Sequence, residues 1–396
     1  MLDPLREAVR RVAPEAIALR HELHRHPEIR FEEAWTSARI ARWLDESGVE
    51  YTRGHAGGTG IVARIPGAGS REILLRADID ALEIQEETGL SYASEIPGRM
   101  HACGHDGHTA ILCGVTRALK SIQKQLPCSV RCVFQPAEEE AAGGRLVVDE
   151  GLLDGVEAAF ALHGWPSIPV GRLAVGPGTV MASADAFQFE ITGKAGHAAD
   201  PVRTIDPVVV GAHLVTALQT VVSRCSNPWD AVVLSVTRIE SGHTGNIIPG
   251  RAIVAGTLRA LNTASRKRAL EAAERIGAGI AAAWDASIRF SLGEVRYPAT
   301  INDPDMARYA LNLAGAVFGE DKVEIPAHPY MTAEDFGYYL ERTPGAFAFL
   351  GTGNTTGDGP GLHTPFYDFG DASVEHGMLY LAGLAMNFGA TQGDRM

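Results

Sequence analysis

Met100-His101-Ala102-Cys103-Gly104-His105-Asp106-Gly107-His108 places three histidines, a cysteine and an aspartate within nine residues. Thiolate and neutral imidazole are good ligands for a borderline-soft divalent ion. Cys103 and His105 stand two apart, which puts them on one side of an extended segment. The apolar run that follows, Thr109-Ala110-Ile111-Leu112-Cys113-Gly114-Val115, reads as a buried helix. The cluster therefore stands where a loop meets a helix N-terminus, the helix end that favours anions and thiolates. Taken alone, the stretch is either a metal loop or a Cys/His-rich turn with satisfied polar groups.

Working outward, helical spacing covers 4–25 and 31–47, with Gly48 closing the second helix. Residues 60–65 and 72–78 read as strands. After the cluster come a helix near 108–124, a strand at 129–135, a helix at 143–150 and a strand at 158–163. This alternation specifies an α/β fold with a largely parallel or mixed sheet. Near residue 180 the pattern changes to strand 184–191, helix 205–224, strands 231–239 and 252–261, helix 263–284 and strand 287–292. That order is β-α-β-β-α-β, the ferredoxin-like pattern. The α/β pattern then resumes with a helix at 303–318, a segment at 335–340, a strand at 346–350, a Gly-rich loop at 353–361 and a helix at 371–388. The expected organisation is a catalytic domain made of 1–181 and 294–396, interrupted by an inserted domain at 182–293.

Composition narrows the function classes. The chain has 396 residues, 45% hydrophobic and 21% charged, enough for more than one sizeable core. A net charge of −13 argues against nucleic acid or an anionic membrane as partner. The five cysteines are odd in number and show no disulfide spacing, which fits a reducing compartment. The start, Met1-Leu2-Asp3-Pro4-Leu5-Arg6, lacks the apolar core of a signal peptide, and no apolar run approaches the ~18 residues of a membrane span. A cytoplasmic protein is expected.

Other candidate ligands stand at strand ends, where open α/β sheets gather their ligands. Gln135-Pro136-Ala137-Glu138-Glu139-Glu140 follows one strand. Three adjacent carboxylates repel one another unless cations compensate, although a solvated acidic turn has the same composition. His163 ends the next strand, and His363 follows the Gly-rich loop in Gly361-Leu362-His363-Thr364-Pro365. Cys103, His105, a carboxylate among 138–140, His163 and His363 would suffice for two ions ~3.5–4 Å apart sharing a ligand. Asp78 and Asp80 could be ligands, turn residues or carboxylates that orient a ligating histidine, and the orienting role is assigned to Asp78. Asp106 and His108 read as support, and His101 as structural. In the inserted domain His197, Asn246 and Arg259 could bind a carboxylate or polarise a carbonyl. Ordinary turn residues with a surface arginine would look the same.

Taken together, these motifs resemble the M20 metallopeptidase family, in its aminoacylase/hippurate hydrolase branch, which includes the auxin-conjugate amidohydrolases. The resemblance runs through Arg20-His-Glu-Leu-His-Arg-His-Pro-Glu, Arg76-Ala-Asp-Ile-Asp-Ala-Leu, Met100 to His108, Phe134-Gln-Pro-Ala-Glu-Glu, Gly193-Lys-Ala-Gly-His-Ala-Ala, Asn246-Ile-Ile-Pro and Leu362-His-Thr-Pro. It implies a zinc-peptidase-like catalytic domain carrying an inserted lid that mediates homodimerisation. It implies that Cys103, His105, Glu139, His163 and His363 hold two divalent ions (Zn, Mn, Co or Ni) with Cys103 bridging. Arg76 stands where other branches carry a metal-binding histidine. Glu138 would be the general base, and His197, Asn246 and Arg259 would contact substrate, with His197 reaching the partner subunit's site. The implied reaction is hydrolysis of an N-acyl-amino acid to a carboxylic acid and an amino acid.

Two departures from the family pattern stand out: the extra Glu140 beside the base, and His243 and Gly245 in the loop before Asn246. The competing readings are a dipeptidase or aminopeptidase of the same fold, which needs an anchor for a free α-amine, and an inactive metal or small-molecule binding protein. The retained Glu138 argues against the last.

Overall fold

The strand Glu72–Asp78 shows why the sheet forms. All seven of its residues are buried. Ile73, Leu75 and Ala77 join the helical core, and with a period of two Arg76 and Asp78 face the other way. A strand buried on both faces needs parallel neighbours covered by other elements. They are Ser129–Gln135, which sets Asp78 opposite Gln135, and Ala158–Pro169. The computed structural model describes residues 2–353 and 359–389, so most of the loop expected at 353–361 lies outside the described residues.

The chain forms two compact units, Met1–Val180 with Ile301–His328 and Asp335–Met396, and Met181–Thr300 with Pro329–Glu334. In the first, an eight-stranded mixed sheet runs in the order Glu50–His55, Gly60–Ile65, Ser129–Gln135, Glu72–Asp78, Ala158–Pro169, Gly345–Gly353, Leu173–Ala174, Val323–Glu324. The helices Leu2–Arg25, His105–Ser121 and Ala372–Asn387 pack against one another. Their core includes Leu19, Leu23, Ile111, Val115, Met378 and Leu381. Fully burying such a side chain contributes ~1.5–3 kcal/mol.

Two details differ from the sequence reading. Glu50–His55 is an edge strand with mostly exposed residues, so it leaves no apolar alternation to detect. Ala158–Pro169 continues past His163, because its backbone stays in register with the parallel strand Gly345–Gly353 as far as Trp165 and, after a register shift, pairs Pro169 with Gly353. His163 is therefore inside a strand and opposite Phe349.

The second unit is the βαββαβ fold. Its antiparallel sheet has the order Val232–Ser241, Arg251–Ala260, Ser183–Thr192, Ser287–Tyr297. Phe187, Phe189, Ile191, Val254 and Leu258 of the sheet share a core with Leu214 and Leu218 of the helix Pro207–Cys225 and Ala269 and Ala273 of the helix Thr263–Ala283. By length and composition Pro207–Cys225 is apolar enough to cross a membrane, which corrects the expectation that no segment is. Here Val210, Leu214, Leu218 and Val221 form a buried stripe at helical spacing. His213, Thr216, Gln219 and Thr220 interrupt the apolar run on the exposed side.

Candidate active site

The Cys/His stretch is a turn and not an extended segment. Gly104 adopts φ +84°, a left-handed conformation open to glycine, and His105 is the first residue of the helix His105–Ser121. A Cβ on Gly104 would stand 2.8 Å from the Phe369 ring, so the turn also requires a bare backbone there. The turn brings distant residues to one sulfur. Cys103 Sγ is 3.3 Å from Nε2 of His163 and 3.3 Å from Nε2 of His363. Glu139 Oε1 lies 3.3 Å from His363 Nε2 and 3.8 Å from His105 Nε2. Two groups of donors share Cys103, Cys103–His105–His163 and Cys103–Glu139–His363, each with its ligand atoms within 4.8 Å of one another, and Glu138 stands equally close to His105 and Glu139.

The tautomers are set from behind. His105 Nδ1 faces Asp80 Oδ1 at 3.3 Å, and His163 Nδ1 donates to the Gly164 carbonyl at 2.8 Å. Each ring thereby turns an Nε2 lone pair toward the sulfur and carboxylate. Asp80 also accepts the Glu139 backbone N–H at 3.0 Å, so one carboxylate steadies two candidate ligands. Asp78, to which the sequence reading gave that orienting role, is 2.6 Å from His108 Nδ1 and 2.7 Å from Arg76 Nη1. His108 Nε2 accepts the Gly164 N–H at 2.8 Å, which occupies both ring nitrogens and makes His108 a support. Arg76 continues to Gln135 at 3.0 Å and Asp335 at 2.7 Å.

The turn carrying Glu138 and Glu139 is strained and held. Ala137 adopts φ +57°, a conformation that costs a residue with a Cβ about 1–3 kcal/mol. Its N–H donates to Glu33 Oε1 at 3.0 Å, and Glu33 Oε2 accepts the Thr59 hydroxyl at 2.8 Å. Burial and the nearby charge of Asp80 raise the Glu33 carboxyl to about 7. Sequence reasoning passed over Glu33, because Glu32-Glu33 ahead of a helix looks like ordinary acidic residues at a helix start. Glu138 is buried and accepts the Asp335 N–H at 3.4 Å. Glu140 is exposed and pairs with Arg30. The extra carboxylate thus stands apart from the other two.

The pocket's electrostatics and loose ends fit divalent cations. His105 Nε2 is buried without a hydrogen-bond partner, a costly state unless something binds it, and Glu139 Oε1 has the His363 ring 3.3 Å away. Burial, then the Glu139 and Glu138 carboxylates, push the Cys103 thiol well up. Burial alone would lower His105, but Asp78 and Asp80 outweigh it and raise the imidazole to about 10. The surrounding carboxylates thus favour positive charge at Nε2. Burial and the neighbouring His108 hold His163 far below its usual range, as a neutral imidazole.

In the second unit, His197 and Asn246 are brought together. The strand Gly196–His197 pairs with Ile247–Ile248, and the Ala198 N–H donates to the Asn246 carbonyl at 3.0 Å. His197 is exposed, with Nδ1 accepting the Ala199 N–H at 3.1 Å. Arg259 is near the far end of Arg251–Ala260. Eight residues of strand at ~3.3 Å each separate it from Arg251, a span of ~26 Å.

The sheet, the thiol–imidazole–carboxylate pocket and the carboxylate beside it define a metal-dependent hydrolase. More narrowly, the chain belongs to peptidase family M20/M25/M40, whose model matches residues 74–387. It is 38% identical over 371 residues to N-acetylcysteine deacetylase of Bacillus subtilis, covering 93% of this chain and 96% of the relative. It is 34% identical over 377 residues to an IAA-amino acid hydrolase of Arabidopsis thaliana, covering 94% and 85%. Among solved structures, a dinuclear metal-binding peptidase of the M20 family from Bacillus subtilis matches with a TM-score of 0.84 and 35% identity, over 96% of this chain and 99% of that one.

Proposed function

We propose that this protein hydrolyses the amide bond of N-acyl-amino acids, using two divalent ions held by Cys103, His105, Glu139, His163 and His363. The convergence of these five donors beside the buried carboxylate of Glu138 carries the reading. The names of the Bacillus and Arabidopsis relatives support the substrate class. Cys103 belongs to both donor groups and is the ligand that the two ions would share. Zinc suits thiolate and imidazole, while manganese, cobalt and nickel suit the mixed set according to availability.

Divalent ions in such a site polarise a carbonyl and lower the pKa of water toward ~7. Glu138 accepts the proton of the attacking water and passes it to the leaving amine. Asp80 keeps His105 and the Glu139 backbone in place throughout. His197 and Asn246 act as one polar pair on the substrate, and Arg259 meets the substrate carboxylate from the other copy. Their separation along one strand supports a site shared between two copies, with the inserted unit as lid and dimerisation domain. Exposed Val208, Val209 and Val222 on its helix and Ile239 on its edge strand support self-association. All five cysteines are free thiols, in keeping with a cytoplasmic enzyme.

The test is a panel of N-acetylcysteine, hippurate, an indole-acetyl amino acid and glycylglycine, with enzyme reconstituted in zinc, manganese, cobalt or nickel. Hydrolysis of the acylated substrates over the dipeptide is expected. Preference for glycylglycine would establish the dipeptidase alternative, and no hydrolysis with both ions bound would establish a binding protein.

A further inference from the structure

The segment Arg20-His21-Glu22-Leu23-His24 lies on the first helix and contributes no donor to the pocket, yet Arg20 is fully buried. Its Nη1 is 2.8 Å from Asp368 Oδ1 and 3.5 Å from Asp106 Oδ2, and its Nε is 3.1 Å from Asp371 Oδ1. Asp106 directly follows His105 and stands three residues after Cys103. Asp368 and Asp371 continue the segment that begins with His363. One guanidinium therefore joins the turn carrying Cys103 and His105 to the segment carrying His363.

Neighbouring groups prop the same junction. His24 Nδ1 is 2.9 Å from Asp106 Oδ2, Tyr92 donates its hydroxyl to Asp368 Oδ2 at 3.2 Å, and His21 Nε2 is 2.9 Å from Asp371 Oδ1. A backbone bond from His363 N–H to the Ala102 carbonyl, 2.9 Å, completes it. Without Arg20, the three carboxylates would lose the one cation among the described residues that meets all of them, since of the three His24 reaches Asp106 and His21 reaches Asp371. A lysine would keep the charge but lose the planar fork that spans all three.

We infer that Arg20 is a positioning residue: it fixes the His363 segment against the Cys103 turn, and the metal position formed by Cys103, Glu139 and His363 depends on it. This rests on the metal reading of the five donors. The Arg20→Lys protein would keep one tight ion per chain and bind the second at least ten-fold more weakly, measured by manganese titration against a chelator. Its manganese resonance spectrum would show isolated ions where the wild type shows a coupled pair.

The doubly substituted Asp368→Asn/Asp371→Asn protein should behave alike. Its altered side chains are partly exposed (29% and 40%), so it keeps the inference testable if Arg20 variants fail to fold. His363→Ala supplies the benchmark for loss of that position. Two tight, coupled ions in a folded Arg20→Lys protein, or in the double variant if that alone folds, would overturn the positioning role. A wild type that binds fewer than two ions would instead overturn the metal reading itself.

Discussion

The sulfur of Cys103 stands 3.3 Å from Nε2 of His363, a residue 260 positions further along the chain. It stands equally near Nε2 of His163. One thiol is thus the common member of two donor groups, while its own ionisation is opposed by burial and by Glu139 and Glu138. A thiolate here needs compensating cations. Cys103→Ala removes the shared donor, so metal content after dialysis should fall from two ions per chain to below one. Elemental analysis of folded variant protein checks this, and two retained ions would end the bridging role.

Glu138 differs from its neighbour. It is buried beside the donors, but the overlapping groups that share Cys103 are complete without it. Glu138→Gln keeps the shape of the side chain and removes the carboxylate proposed as the base. Metal content should remain at the wild-type level while kcat falls about 10²–10⁴-fold. Near-native turnover would show that the proton goes elsewhere.

Asp80 and Asp78 provide a contrast between two similar carboxylates. Asp80 meets His105 Nδ1 and the Glu139 backbone, whereas Asp78 hydrogen-bonds His108 and Arg76 and stands 3.7 Å from His105 Nε2. Loss of a carboxylate behind a ligating histidine typically costs about 10–100-fold in metal affinity. Asp80→Asn should show that loss in a chelator competition, with Asp78→Asn affecting chiefly thermal stability. The reverse ranking would return the orienting role to Asp78.

His24 makes stability depend on pH. Burial alone would lower its imidazole, but Asp106 and Glu86 outweigh that and raise it to about 9. A pKa raised on folding means that the native state holds the proton more tightly than the unfolded chain. The stabilisation is complete below the unfolded value of ~6.5 and is lost as pH rises through about 9. Its size is of the order of 3 kcal/mol. Metal-free wild type should therefore lose melting temperature between pH 6.5 and 9, and His24→Gln should lack that component. Parallel melting curves of the two proteins across this range would dismiss the effect.

Local chemistry made the Cys/His stretch legible, and strand–helix alternation revealed both layers of the fold. What stayed hidden depends on packing across the chain. Nothing near Glu33 announces that it caps Ala137, 104 positions away. Asp78 and Asp80 look alike in sequence, and only the direction of the His105 ring separates them. Arg259 stands close to Asn246 in sequence, but an intervening extended strand carries it away. That separation follows from the rise of a β-strand alone, whereas the orientation of a buried ring does not follow from any local pattern.

The separation of Arg259 from the His197–Asn246 pair leads to the sharpest test of a shared site. If His197 serves a partner subunit, a site needs Glu138 from one chain and His197 from the other. Glu138→Gln and His197→Ala homodimers are then both inactive, for different reasons. In a mixed dimer, the chain with intact Glu138 receives intact His197 from its partner, so one of its two sites works. Random pairing of equal amounts makes about half the dimers mixed and restores roughly a quarter of wild-type turnover. If His197 acts within its own chain, every site in the mixed dimer lacks one residue and mixing restores nothing. Differently tagged chains and native mass spectrometry verify the exchange. Verified exchange without recovered activity places His197 in its own subunit's site.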